Sequence, residues 1–317
     1  MTNNDNNRWE SYLQAGDSDN PPTATEICVL RQYVETFGTP NAVPVLEAAY
    51  DMMSLVQEIT DMEEPIDKEE RVAHLLWDVG LDMPKHQCAI LMLVRKIPHA
   101  YIRRTHQKIL DGWFRANMIE WLRMQRFWEL WNMYLDVEPL FRPPSGASYP
   151  LPEFIRHTQG WLRHNTFYAT NLALGSQNNP TEVNHEFTEI DRALMMITYT
   201  LENTPVVDDY PLPECTTLHC ELQGLTPWFE ISGRVLYGCI GSKDLECWTP
   251  IKSKGSNLWM RDLSLSLERW NFWKAQLDWM SIMGVVTRNQ QGRDMLHRVQ
   301  EKARALGRHI EEQARWD

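Results

Sequence analysis

No run in the 317-residue chain approaches the ~20 consecutive apolar residues that a membrane-spanning helix needs, so no transmembrane span is expected. The first residues, MTNNDNNRWESYLQ, lack a basic region followed by an apolar one, so no signal peptide is expected either. Cysteine is scarce and scattered, at positions 28, 88, 215, 220, 239 and 247, which excludes a disulfide framework for a chain of this size. The expected compartment is therefore reducing and intracellular, the cytoplasm by default with the nucleus left open. Strand-like alternation is nearly absent: residues 204–207 come nearest and are too short to matter. A nucleophile elbow (G-x-S-x-G), a P-loop (G-x4-G-K-[ST]), G-x-G-x-x-G and His-x-x-x-His are all missing. The commonest sequence routes to ester hydrolysis, phosphate cradling and dinucleotide binding go with them.

Net positive charge is lacking as well. The formal charge is −12, which argues against nucleic-acid binding by the chain as a whole, because phosphate contacts need a basic face. The charge comes in blocks. Residues 35–82 hold 12 acidic and 2 basic side chains, 95–126 hold 8 basic and 2 acidic, and 182–246 hold 12 acidic and 3 basic. Such blocks are read first as solvated or mutually facing surfaces, and second as places where a charged partner docks.

What the chain does have is helical periodicity and 14 tryptophans, which need walls to pack against and favour a folded protein. The expected fold is all-α, a multi-helix array of about ten helices in two packed helical subdomains. Residues 1–22, rich in Asn and Asp, read as a flexible polar tail. Residues 23–138 form an amino-terminal helical subdomain. Its first helix starts at Thr23 and stops at Gly38, a second opens at Pro44, and a very apolar helix opens at Pro84 and is interrupted at Pro98. A long helical pattern follows to Pro139, with a bend or break expected near Gly112. Residues 139–152 (PLFRPPSGASYPLP) read as a hinge, and 153–317 as a carboxy-terminal helical subdomain. In that second half a capping box at Thr287 and Gln290 is expected to start the last helix.

A stretch rich in aromatics runs over 259–279, with four tryptophans in 21 residues. At ~100° per residue, Trp270, Trp273, Leu277 and Met280 share one face of a helix while Phe272 and Trp279 fall on the other. The apolar surface covers about half the helix, wider than the ~100° stripe of a surface helix, so partners are expected on two sides. Ser264 or Ser266 can cap it, Glu268 suits its first turn, and Gly284 is the expected stop. A central core helix is the first reading. The alternative is an aromatic ligand pocket lined by Trp259, Trp270 and Trp273; a catalytic version would also need a titratable group there, the nearest by sequence being Glu268, Asp278 and His297.

Residues that could carry chemistry form incomplete sets. Glu182-x-x-His185 has the spacing of a di-metal ligand pair, but no second such pair occurs and Asp294-x-x-His297 is a poor substitute. Cys215-x3-His219-Cys220-Glu221 matches no zinc spacing and reads as buried thiols beside a loop histidine. His157, Trp161 and His164 share a face, yet histidines seven residues apart lie ~10.5 Å from each other, too far to share a metal unaided. They read as surface or boundary residues. Asp208-Asp209 lacks the third aspartate of a diphosphate-binding D-D-x-x-D. No catalytic residue, cofactor or metal is assigned.

Several ordered pieces in the second half resemble a filamentous-fungal family catalogued as domain of unknown function 3632. They are Asn165-Thr-Phe167-Tyr-Ala169, Ile190-Asp-Arg192-Ala193-Leu194 with Leu201-Glu202, and Pro227-Trp228-Phe229-Glu230 through Leu236-Tyr237. Gly255-x-x-Leu258-Trp259 and Leu267-Glu268-Arg269-Trp270-x-Phe272-Trp273-Lys274 complete the set, with Met195-Met196 where the family carries a tryptophan and an arginine. The clear resemblance spans about 150–312. It implies a helical, intracellular protein, with some members set among secondary-metabolism genes, and it supplies no catalytic residues. The first functional expectation is a protein-interaction or scaffold role with an unknown protein partner. The alternatives are a small-molecule binder or enzyme with a Trp-lined pocket, and a nucleic-acid-associated regulator using the basic 95–126 stretch around Arg123 and Arg126.

Overall fold

The computed structural model describes residues 9–12, 21–54, 65–108, 151–175, 186–203, 215–242, 258–259, 265–284, 287 and 289–315. These residues are all-α, with eleven helical segments, nine of them of seven residues or more, and no strand among them. None of these helices is long and apolar enough to cross a membrane. The chain divides into two compact units, residues 1–139 and 140–317. The 109–150 stretch, with Gly112, Arg123, Arg126 and most of the expected hinge, lies outside the described residues.

In the first unit, α1 (Ala24–Thr36) begins with a complete capping box: Thr23 accepts from the Glu26 amide, and the Glu26 carboxylate accepts from the Thr23 amide. Gly38 follows the helix at φ 76°, the left-handed stop its sequence position predicts. Next come α2 (Val45–Ser54), α3 (Pro65–Asp82), a 3₁₀ turn (Pro84–His86) and α4 (Gln87–Lys108). Ile27, Leu30, Val34, Met52, Val72, Leu76, Ile90, Leu93 and Ile97 are buried together with Ala48 and Ala49. Those two alanines keep one face of α2 thin where it packs along α4, its most extensive neighbour. The helix expected to break at Pro98 continues through it to Lys108. A proline there removes one amide donor and crowds the Val94 carbonyl, a cost set against the burial of Ile90, Leu93, Val94 and Ile97 just before it. Within the expected polar tail, residues 9–12 make a helical turn with Trp9 and Tyr12 buried, and the Tyr12 hydroxyl donates to Asp82 Oδ2 (3.2 Å).

The second unit contains α5 (Leu151–Gly175), α6 (Glu186–Leu201), α7 (Thr216–Glu230), α8 (Gly233–Gly238), α9 (Leu267–Met280) and α10 (Gln290–Gln313). Leu151 and Pro152, expected in the hinge, form the first turn of α5. α7 is the hub: it packs against α5, α6, α8 and α10, and eleven of its fifteen residues are buried, so it needs apolar or small side chains nearly all round. Gly224 is required where α7 crosses α5, because a Cβ there would collide with the Trp161 indole nitrogen. α9 packs on α10 and α6.

Three local expectations for α9 and α10 are corrected. Ser266 caps α9 and accepts from the Arg269 amide, but Ser281 ends it and Gly284 is not in the left-handed region. Asn289, not Thr287, caps α10, its side chain accepting from the Gly292 amide. The second apolar face of α9 is only half partnered. Phe272 meets Trp259 (ring centroids 5.2 Å apart), whereas Trp279 stays 48% exposed.

Candidate functional site

The buried face of α9 carries an arginine among its aromatics. Arg269 is 1% exposed, and its Nε and Nη2 donate to Glu202 Oε1 (2.6 Å) and Oε2 (2.9 Å) in a fork-to-fork pair. The Trp273 indole N–H donates to the same Glu202 Oε1 (2.7 Å), and the Arg269 guanidinium lies 5.8 Å from the Trp273 ring centroid. Glu202 sits one residue beyond the end of α6, and its carbonyl accepts from the Leu258 amide (2.6 Å). One glutamate thus ties the end of α6, the Leu258–Trp259 segment and the first two turns of α9. The first unit repeats the device: Glu26, equally buried, holds Arg71 of α3 through Nε and Nη2 at 2.9–3.0 Å.

The indoles around the clamp pack on protein. Trp270 meets Phe229 (5.9 Å) and Tyr237 (5.3 Å) edge-on and tilts against Trp273 (5.8 Å). Trp259, Trp270 and Trp273 are all buried, at 8%, 1% and 0% exposure. Trp270 Nε1 has no acceptor among the described residues. The titratable groups considered beside them point elsewhere. Glu268 is exposed, Asp278 pairs with Lys274 (3.0 Å), and His297 pairs with Glu301 (3.6 Å) at the surface.

A second buried line runs along α5. Asn165 donates to the Trp161 carbonyl (2.9 Å) and accepts from the Trp228 indole N–H (2.9 Å), which locks α7 to α5. His164, expected at the surface or a boundary, is 1% exposed, edge-on to Tyr168 (4.6 Å), whose ring carries the Arg192 guanidinium at 4.3 Å. Burial, and then the Arg192 charge, lower its pKa to about 3, so it is a neutral core residue. The side chain of His157 lies outside the described residues.

The soft-ligand run is also corrected in part. Cys215 and Cys220 are buried, and the Cys220 thiol donates to Thr158 Oγ1 (3.2 Å). His219 is on α7, not in a loop. Burial, then Arg298 and Lys302, hold its pKa down at about 4. No group of three or more His, Cys, Asp or Glu among the described residues could hold a metal. Glu182, His185, Asp208 and Asp209 lie outside them.

The remaining feature is a corner where α9 ends. Trp279 is about half exposed and Ile282 is 77% exposed, with Arg304 Nη2 3.4 Å from the Ser281 carbonyl between them. Sequence reading set Trp279 against a second packing partner and gave Ile282 no role. The signal for this corner is Trp279 lying opposite the Trp270–Trp273 face.

A family model described as "Protein of unknown function (DUF3632)" matches residues 86–277, more than half of the chain. The chain belongs to this family. The DUF3632 match reaches further into the first half than the resemblance at 150–312 suggested, and it ends before Trp279. It contains Glu202, Arg269, Trp270, Trp273, Asn165 and Trp228, so the resembling pieces are those that meet in the second unit's core. No curated protein and no solved structure matches the chain.

Proposed function

We propose that the protein is a helical interaction or scaffold module that acts by presenting a surface, and is not an enzyme. One observation carries this reading: α9 spends its arginine and two of its tryptophans inward, yet Trp279 in its last turn and Ile282 just beyond it are exposed. A tryptophan beside an aliphatic side chain on an exposed corner has the make-up of an interface hot spot, where a few aromatic anchors supply most of the binding energy. The setting expected from the resemblance is a filamentous-fungal cell, so the native host is where the partner should be sought. Affinity purification of the tagged chain from that host should recover a stoichiometric protein, and Ile282→Asp should abolish the recovery. Repeated recovery of the chain alone would contradict the reading.

A second reading, a small-molecule binder built on Trp259, Trp270 and Trp273, has one observation in its favour. The Trp270 N–H is buried without an acceptor among the described residues, and a ligand oxygen would satisfy it. Host metabolite fractions should then quench indole fluorescence and raise the melting temperature. No quench and no shift with any fraction would remove it.

A further inference from the structure

The carboxylates around the α9–α10 corner are nearly all engaged. Asp278 and Glu311 share Lys274 (3.0 Å each), Glu311 also faces Arg315 (3.9 Å), Glu312 faces His309 (3.4 Å) and Glu301 faces His297 (3.6 Å). Arg304 and Arg308 are exposed on α10, and neither has a carboxylate partner among the described residues. Arg304 lies against the Ser281 carbonyl, between Trp279 and Ile282. Arg308 follows Gly307, where a Cβ would come 3.4 Å from Asp278 Oδ1, the neighbour of Trp279. In a chain of net charge −12, two guanidiniums with no carboxylate partner among the described residues thus share one face of α10 beside the corner, Arg304 on the Ser281 carbonyl and Arg308 one turn further along.

We propose that Trp279 and Ile282, flanked by Arg304 and Arg308, form a docking point for an acidic peptide segment that carries an apolar side chain. The inference rests on the interaction reading above and names the chemistry of its partner. The apolar pair offers an anchor, and the two planar forks suit carboxylates, which they can hold bidentately. The acidic blocks elsewhere do not cancel this attraction. At physiological ionic strength charges are screened over ~8 Å, so the guanidiniums beside the anchor dominate what a short peptide meets. An anionic membrane or a nucleic acid spans a far wider area and would meet the acidic body too, which disfavours both.

The test uses the full chain and a fluorescein-labelled peptide, EDLFEELLEDLF, with KKLFKKLLKKLF as its charge-reversed control. The acidic peptide should bind with a Kd on the order of 10–100 µM, weakening as salt rises, as expected for a small, partly electrostatic contact. Arg304→Glu with Arg308→Glu should weaken it roughly tenfold or more, and Ile282→Asp should do the same, while Arg293→Glu on the same helix leaves it unchanged. All these side chains are exposed, and unchanged melting temperatures would show that the variants fold. The proposal is overturned by equal affinity for the basic peptide, by indifference to the double arginine reversal, or by no binding up to about 1 mM peptide. It is also overturned if vesicles of phosphatidylcholine and phosphatidylserine bind while the peptide does not, or if Ile282→Asp merely dissolves a dimer of the chain. A host partner lost with Ile282→Asp but retained by the arginine double variant would sink this inference and leave the interaction reading standing.

Discussion

Glu202 accepts from Arg269 twice and from Trp273 once, so truncating it strands a buried guanidinium and an indole N–H together. Removing one partner of such a pair costs about 3–5 kcal/mol, because the remaining charge has no water to turn to. The neighbouring indoles are large and enclosed, so Trp270→Ala and Trp273→Ala should each lower stability by about 3–5 kcal/mol in urea unfolding. Trp279→Ala should stay within about 0.5 kcal/mol of the native chain, because that ring is half in water. A Trp279 variant as damaging as the other two would place its ring in the core and undo the docking argument. His164 is predicted to act through protonation. It stays neutral in the folded chain while its unfolded counterpart takes up a proton below pH ~6.5, so its stabilising contribution is full at neutral pH and fades as pH falls. At pH 5 the loss is about 2 kcal/mol, and it continues toward pH 3. Urea midpoints at pH 7 and 5 should show it, and His164→Asn should flatten the dependence.

Among the helices, α7 is where a single atom matters most. Gly224→Ala places a Cβ into the Trp161 indole, which is itself wedged beneath α7, so the variant should cost about 1–3 kcal/mol through overpacking. A melting temperature unchanged by that substitution would mean the α5–α7 contact yields freely. Much of this layer was legible beforehand. Thr23 and Gly38 mark the ends of α1 because end signals are local, and the Trp270–Trp273–Leu277–Met280 face follows from helical spacing. The hub was not legible. α7 is buried on most sides, so its amphipathic contrast fades, and Pro227 inside it reads as a breaker when taken alone. The clamp was half legible: the resembling pieces contained Leu201-Glu202 and Arg269 through Trp273, but a separation of 67 residues carries no register. His164 was misread because a histidine on a helix face gives no sign of its burial until the crossing helix is in place.

Across the chain, the shifted groups predict that the two units answer acid in opposite directions. Asp78, in the first, has its pKa raised to about 6 by burial and by Asp82, despite the opposing effect of His74. Folded Asp78 keeps its proton to higher pH than the unfolded chain does, so its contribution is present in acid and is lost as pH rises through 6. Lowering the pH from 7 to 5 should therefore weaken the second unit, through His164 and His219, while Asp78 favours the first. Hydrogen exchange at both pH values, corrected for intrinsic rates, would resolve the units, and parallel loss of protection in both would contradict this. The units share an architecture in which one buried glutamate, Glu26 or Glu202, is clamped by an arginine from a distant helix. In the second unit that clamp is assembled from residues inside the family match, and its predicted role is to hold the fold together. Equilibrium unfolding of Glu202→Ala beside the double variant Glu202→Leu with Arg269→Met tests this most directly. The single variant should lose about 3–5 kcal/mol and the double variant should recover most of it, since a buried ion pair can be replaced by apolar side chains at little cost. A Glu202→Ala protein that unfolds within about 1 kcal/mol of the native chain, yet loses partner or ligand binding, would show that these residues serve a site instead.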